Sequence, residues 1–309
     1  AFFAAASGSS VATSAAMSRI AVPEMLKHNY DKGLATGTVA ASGTLGSLIP
    51  PSVLLVLYGV YAQVSVGQLF MAGFIPGVLS ALLYIAMIMV RTKLSPSLAG
   101  NTDVRSSWDE KWDAFKHIWP LPLLIGSVLG GIFLGVFSPT EAGAVGTTIA
   151  ALIALARRTL TFSAIREALI RTAVSTASIF IILIGSLFFT RFLAMSGVPA
   201  AFSEIILGVS TETWWIILAV AVIYLVLGMF IDSIGLLLLT LPLILPLVEG
   251  ADLNLIWFGI IVVKLLEVGL VTPPIGLNVY VIKGALGNSV TLSEVFKGVA
   301  WFIVMDIVA

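Results

Sequence analysis

The sequence contains no cysteine, only two histidines, and few charges. Without cysteine there are no disulfide frameworks, thiolate metal sites or iron–sulfur clusters. His28 and His117 are too few for a multi-histidine metal centre. Charged residues make up 10% of the chain, against about 25% in soluble domains. Sixteen Lys and Arg balance sixteen Asp and Glu, and no basic run suits nucleic acid. What remains is apolar: 59% of 309 residues, with a mean hydropathy of +1.09. A water-soluble enzyme is excluded. An integral membrane protein is expected, with room for about eight to ten spans of roughly 20 residues. The apolar start at Ala1 has no Met and no charged n-region, so it is not expected to be a signal peptide. With the apolar stop at Ala309, the chain reads as a piece of a longer membrane protein.

Apolar runs fall at 1–25, 34–62, 69–90, 118–137, 140–156, 172–194, 213–248, 256–285 and from 294 onward. They lack strand-like alternation, and lipid admits only helices or closed barrels, so an all-α membrane protein is expected. Loop 91–117 carries Arg91, Lys93, Arg105, Lys111 and Lys116, and loop 157–171 carries Arg157, Arg158, Arg166 and Arg171. Lys27, Lys32, Lys283 and Lys297 mark two further basic connections. Connections 63–68, 138–139, 195–212 and 249–255 hold no Lys or Arg. The positive-inside rule makes the first group cytoplasmic and the second external. The sorting works only if runs 1–25 and 213–248 each enter and leave on one side, as re-entrant hairpins.

One constant shift along the chain aligns Ser10 with Ser233, Pro23 with Pro246, Gly46 with Gly269, and Pro50-Pro51 with Pro273-Pro274. Each Gly-x-x-x-Pro-Pro follows a hairpin-like run, and the loop charges set the two copies in opposite orientations. Inverted repeats with interrupted helices in matching positions point to the binding site of a secondary transporter. The expected organisation is a first transport element at 1–62 and a scaffold helix with its cytoplasmic connection at 63–117. Linking helices at 118–212, a second transport element at 213–285 and the start of a final scaffold helix at 286–309 complete it.

Paired prolines remove N–H donors and clash with the preceding turn, so Pro50, Pro51, Pro273 and Pro274 must unwind their helices. Freed carbonyls in hydrocarbon need a partner. Na⁺, a hard ion, suits carbonyls, hydroxyls and a carboxylate. The breaks, with Gly46, Gly269 and Thr272, would each face a hairpin tip, Ser7-Gly8-Ser9-Ser10 or Asp232-Ser233. Asp232 sits among apolar residues, where an acid costs on the order of 2.5–3.5 kcal/mol and marks function; it is also suited to capping the helix at 234–248. The small residues at 4–16 equally fit close helix packing.

Lys264 and Glu267 are spaced for an i,i+3 ion pair, with a coupling role as the alternative. Arg191 suits a snorkelling anchor, and Arg19 a cytoplasmic anchor or an attractor of anions. Asn278 is a candidate for hydrogen bonding to substrate or backbone. Trp214, Trp215, Trp257, Tyr61, Trp112 and Trp119 fit an interfacial aromatic belt.

These residues carry a resemblance. Ser7-Gly8-Ser9-Ser10-Val11-Ala12-Thr13, Gly43-Thr44-Leu45-Gly46-Ser47-Leu48-Ile49-Pro50-Pro51-Ser52, Phe137-Ser138-Pro139-Thr140-Glu141, Gly228-Met229-Phe230-Ile231-Asp232 and Glu267-Val268-Gly269-Leu270-Val271-Thr272-Pro273-Pro274-Ile275-Gly276-Leu277-Asn278 are similar, in order, to the large membrane subunit of TRAP transporters, the DctM family. Lys264 departs from the Asn of many members. The resemblance implies a Na⁺-coupled importer of organic acids, such as C4-dicarboxylates or sialic acids, in the bacterial inner membrane. It implies an elevator mechanism, a soluble periplasmic binding protein (DctP type) and a small membrane subunit (DctQ type). Carried over, a first sodium site uses Ser7, Gly8 and Ser10 with Thr44, Gly46 and Ser47. A second uses Asp232 and Ser233 with Gly269 and Thr272, and substrate lies near Ser9, Thr13 and Asn278. Na⁺ is the coupling ion and no other cofactor is expected.

The rivals are weaker. A serine hydrolase at Ser7 or Ser9 needs a base in reach, both histidines lie in connections, and no Gly-x-Ser-x-Gly elbow occurs. An aspartyl protease would need Glu267 opposite Asp232. A channel, or an ion-coupled carrier working without a binding protein, remains open at this point.

Overall fold

The computed structural model describes residues 2–100 and 107–309. Arg105, counted above in the basic loop, lies outside them, as do the side chains of Lys111 and His117. The described residues form helices and no strand.

The chain opens with a hairpin of α1 (Phe2–Ser7) and α2 (Ser10–Lys27). Gly8, at φ +64°, turns the tip, a conformation that favours glycine. The Ser9 hydroxyl accepts from Ala12 N and caps α2. Next come α3 (Lys32–Leu48) and α4 (Val53–Tyr61), separated by residues 49–52. The broken helix is followed by α5 (Val66–Leu94), then α6 (Trp108–Ile118), α7 (Pro120–Phe133), α8 (Pro139–Ala156), α9 (Phe162–Ser196) and α10 (Val198–Val209). A second hairpin, α11 (Thr213–Gly228) and α12 (Ser233–Gly250), precedes a second broken helix, α13 (Leu255–Gly269) and α14 (Leu277–Leu286). The chain ends in α15 (Leu292–Val308).

Hairpins and breaks fall where Gly and Pro predict them. Pro50-Pro51 and Pro273-Pro274 both lie in the gaps, each with a cis peptide bond. α2 and α12 are both 18 residues long. The interval from Ser10 to Ser233, where these two begin, equals the interval from Lys32 to Leu255, where α3 and α13 begin. Residues 198–209 differ from the expected connection. They form a helix, with Pro199 in its first turn, and Ile206 O accepts from Trp215 Nε1 at 3.0 Å.

Among the described residues, five helical stretches are long and apolar enough to cross a membrane: Lys32–Tyr61, Val66–Leu94, Pro139–Ala156, Phe162–Ser196 and Ser233–Gly250. The outward surface is also apolar. Ile75 is 73% exposed, Ile181 72% and Phe188 73%, an apolar exterior that water would not tolerate and lipid does. The first halves of the broken helices, α3 and α13, are mostly buried. Leu236, Leu237, Leu241, Val262 and Val263 are fully buried and join α12 and α13 to Leu55 and Tyr58 of α4 in one core.

Candidate functional site

The two hairpin tips meet the broken helices through glycines. A Cβ at Gly46 would collide with the backbone carbonyl of Ala4 in α1, and a Cβ at Gly269 would lie 2.8 Å from Gly228 Cα in α11. A Cβ at Gly8 would lie 3.2 Å from Pro51 O. The glycines read from sequence as bend or ligand positions therefore also serve close backbone contact, each tip against its own broken helix.

The tips open on one cavity of about 630 Å³. Ser7, Gly8, Ser9 and Ser10 line it from the first tip, Asp232 and Ser233 from the second, and Ser47 and Glu267 from the broken helices. Ser175 and Ser178 of α9 line it as well. Sequence reasoning missed these two; their i,i+3 hydroxyl spacing was the available signal. Among the described residues, no Lys, Arg or His lines it.

Asp232 is exposed and caps α12, accepting from Ile234 N at 2.9 Å and Gly235 N at 3.3 Å. The capping role expected of it is therefore present, and its carboxylate also lies on the cavity wall. Glu267 is 4% exposed. The Ser233 hydroxyl lies 3.5 Å from its Oε1, and the hydroxyls of Ser47 and Ser10 face the same carboxyl. Glu267 Oε2 is buried with no hydrogen-bond partner among the described residues.

The expected Lys264–Glu267 pair does not form. Lys264 Nζ turns instead to Asp306 Oδ1 at 2.5 Å and Ser80 Oγ at 2.6 Å. Tyr84 donates to the other Asp306 oxygen at 2.6 Å. Asp306 stands on α15, two helices further along the chain, beyond the reach of any local spacing rule.

The other candidates lie off the cavity wall. Thr44 Oγ1 donates to Ala41 O at 2.7 Å, and Thr272 Oγ1 to Val268 O at 2.6 Å. Gly269 O accepts from Thr272 N at 3.1 Å, and Leu270 O from Asn278 N at 3.1 Å. The second break thus satisfies part of its freed backbone within itself, leaving the second lone pair of each carbonyl. Thr13 and Asn278 are buried, and Thr13 Oγ1 and both amide atoms of Asn278 have no hydrogen-bond partner among the described residues. Such atoms ordinarily hold a partner.

An apolar exterior, with serines and two acids on the wall of a cavity between two hairpin tips and two broken helices, defines an integral, multi-pass helical membrane protein. The family described as tripartite ATP-independent periplasmic transporter, DctM component, matches residues 1–309, and the chain belongs to that family. It is 34% identical over 290 residues to the C4-dicarboxylate TRAP transporter large permease protein DctM of Pseudomonas aeruginosa, covering 92% of this chain and 66% of that protein. It is 33% identical over 289 residues to the isethionate TRAP transporter permease protein DctMQ of Oleidesulfovibrio alaskensis, covering 92% and 44%. It is 30% identical over 306 residues to the sialic acid TRAP transporter permease protein SiaT of Haemophilus influenzae, covering 98% and 48%. The chain therefore spans from under half to about two thirds of the length of these relatives.

Proposed function

We propose that this chain forms the core of a Na⁺-coupled, binding-protein-dependent importer of organic acids in the bacterial inner membrane. Its two hairpin-plus-broken-helix elements act as inverted repeats and move together in an elevator cycle. Ser7, Gly8, Ser10, Thr44, Gly46 and Ser47 surround one cation. Asp232, Ser233, Gly269 and Thr272 surround another. Ser9, Thr13 and Asn278 contact the acid. A periplasmic binding protein delivers substrate, and a small membrane subunit braces the permease.

The lack of cationic side chains among the described residues of the cavity lining carries this reading. The relatives named above are permeases for C4-dicarboxylate, isethionate and sialic acid, all anions. An anion entering this cavity meets no Lys or Arg among those residues. The favourable charge comes from the N-termini of α2 and α12, whose capped first turns lie at the cavity, and from co-bound Na⁺. The common offset that relates α2 to α12 and α3 to α13 supports the paired sites. The unpartnered atoms of Thr13 and Asn278 support a ligand beside them.

The test is uptake by the full-length permease with its small subunit in proteoliposomes, across a panel of carboxylates and sulfonates. Uptake of one such acid that requires the matched binding protein is expected. Equal uptake without that protein would instead favour a self-sufficient carrier.

A further inference from the structure

α9 touches both transport elements and belongs to neither. It holds each through one polar residue, and the two residues stand one helical turn apart. Ser186 Oγ donates to Leu238 O of α12 at 2.5 Å. Thr190 Oγ1 lies 2.7 Å from the hydroxyl of Tyr61, the last residue of α4. Thr190 gives its own proton to Ser186 O at 2.8 Å, so Tyr61 is the donor of that contact. The i,i+4 spacing sets both hydroxyls on one face of α9. One reaches the second hairpin and the other the first broken helix.

The Leu238 carbonyl lacks its ordinary helical partner. That partner would be the N–H four residues on, and Pro242 stands there with no N–H to give. Leu238 is fully buried and Ser186 is 2% exposed. A carbonyl freed by proline at membrane depth takes its donor from a neighbouring helix. Here that neighbour is α9, outside the element that carries the carbonyl. A slide of α12 by one turn along α9 would strand it.

We propose that Ser186 and Thr190 are positioning residues for transport. They latch the second hairpin and the first broken helix to α9 in the arrangement seen here, and both bonds open when the two elements move. This rests on the elevator reading above and names the contacts that hold one of its end states. A contact shifts an equilibrium only by the difference it makes between two states. Leu238 O is paired in this arrangement and loses Ser186 once α12 moves along α9, so the bond favours this arrangement alone. Because one face of α9 grips both elements, they are released together.

This chain has no cysteine, so spin labels can be placed through Ile181→Cys in α9 and Val222→Cys in α11, both exposed on the apolar exterior. The full-length permease with its small subunit, any cysteine elsewhere replaced by serine, is held in lipid nanodiscs. Pulsed electron spin resonance measures the distance in NaCl, in choline chloride and with a panel of carboxylates and sulfonates. Wild type is expected to show two distances, one of them matching this structure. Ser186→Ala should lower the ratio of that population to the other by about 3- to 10-fold, the reach of one hydrogen bond. Tyr61→Phe and Thr190→Val should lower it severalfold. Ser186→Thr keeps a hydroxyl and should hold the wild-type ratio. So should Thr148→Val, which removes an α8 hydroxyl that donates to Ala144 O of its own helix. Two populations whose ratio Ser186→Ala leaves unchanged overturn the latch alone. A single distance under every condition overturns the latch and the elevator reading together. If Ser186→Ala does not fold, an unchanged ratio in Tyr61→Phe overturns the latch.

Discussion

Lys264 and Asp306 form an ion pair at 2.5 Å between α13 and α15, and Lys264 also holds Ser80 of α5. Three helices are thereby tied by one ammonium. The pair is largely buried, with side chains 19% and 4% exposed, so its members depend on each other. Lys264→Met leaves Asp306 with only the Tyr84 hydroxyl among the described residues and should cost about 3–5 kcal/mol, the usual penalty for stranding one buried charge. Lys264→Met with Asp306→Leu should recover most of that loss. Thermal unfolding of the four proteins in one double-mutant cycle measures the coupling; additive losses would deny that the pair matters.

The glycines at the tips should tolerate no methyl group. Gly46→Ala drives a Cβ into the Ala4 carbonyl, and Gly269→Ala into Gly228. Overpacking of this kind costs about 1–3 kcal/mol. Gly284→Ala in α14 meets nothing within 4 Å and should be neutral or stabilising by up to about 1 kcal/mol, as alanine is the better helix former. Melting temperatures of the three variants give the comparison, and equal losses would contradict it.

Asp232 should separate by substitution. Asn caps a helix about as well as Asp, and Ala does not cap; the difference is about 1 kcal/mol. Asp232→Ala should therefore melt earlier than Asp232→Asn. Identical melting would remove the capping role.

The helix breaks should be needed for transport. Pro273→Ala with Pro274→Ala restores two N–H donors and removes the ring clashes that end α13. Uptake is expected to fall below a tenth of wild type with the protein still inserted in the membrane. Retained uptake would show that the interruption is dispensable.

Much of the architecture was legible because its causes are local. Gly8 at the first tip, the Pro-Pro pairs in both breaks and the cap at Asp232 act within a few residues, so the hairpins and interruptions appear where the sequence places them. The offset between the two halves was legible because the interruptions recur. The partner of Lys264 was not, since Asp306 competes from a distant helix and wins over Glu267 on the same helix face. Nor were the hydroxyls around Glu267, which arrive from three separate elements, or the α9 wall at Ser175 and Ser178. The α10 helix reads as a connection in the sequence because its Pro199 and Gly208 look like breakers. Proline is favoured in a first helical turn, and that is where Pro199 stands.

The most direct measurement is uptake of an organic acid into proteoliposomes holding the full-length permease, its small subunit and its binding protein, before and after an ionophore dissipates the Na⁺ gradient. Each inward Na⁺ gains about 2.3 kcal/mol per 100 mV of membrane potential in addition to its concentration gradient. Accumulation that collapses when the gradient is removed is the predicted result. Accumulation unchanged by its removal would contradict a cavity that draws its positive charge from sodium.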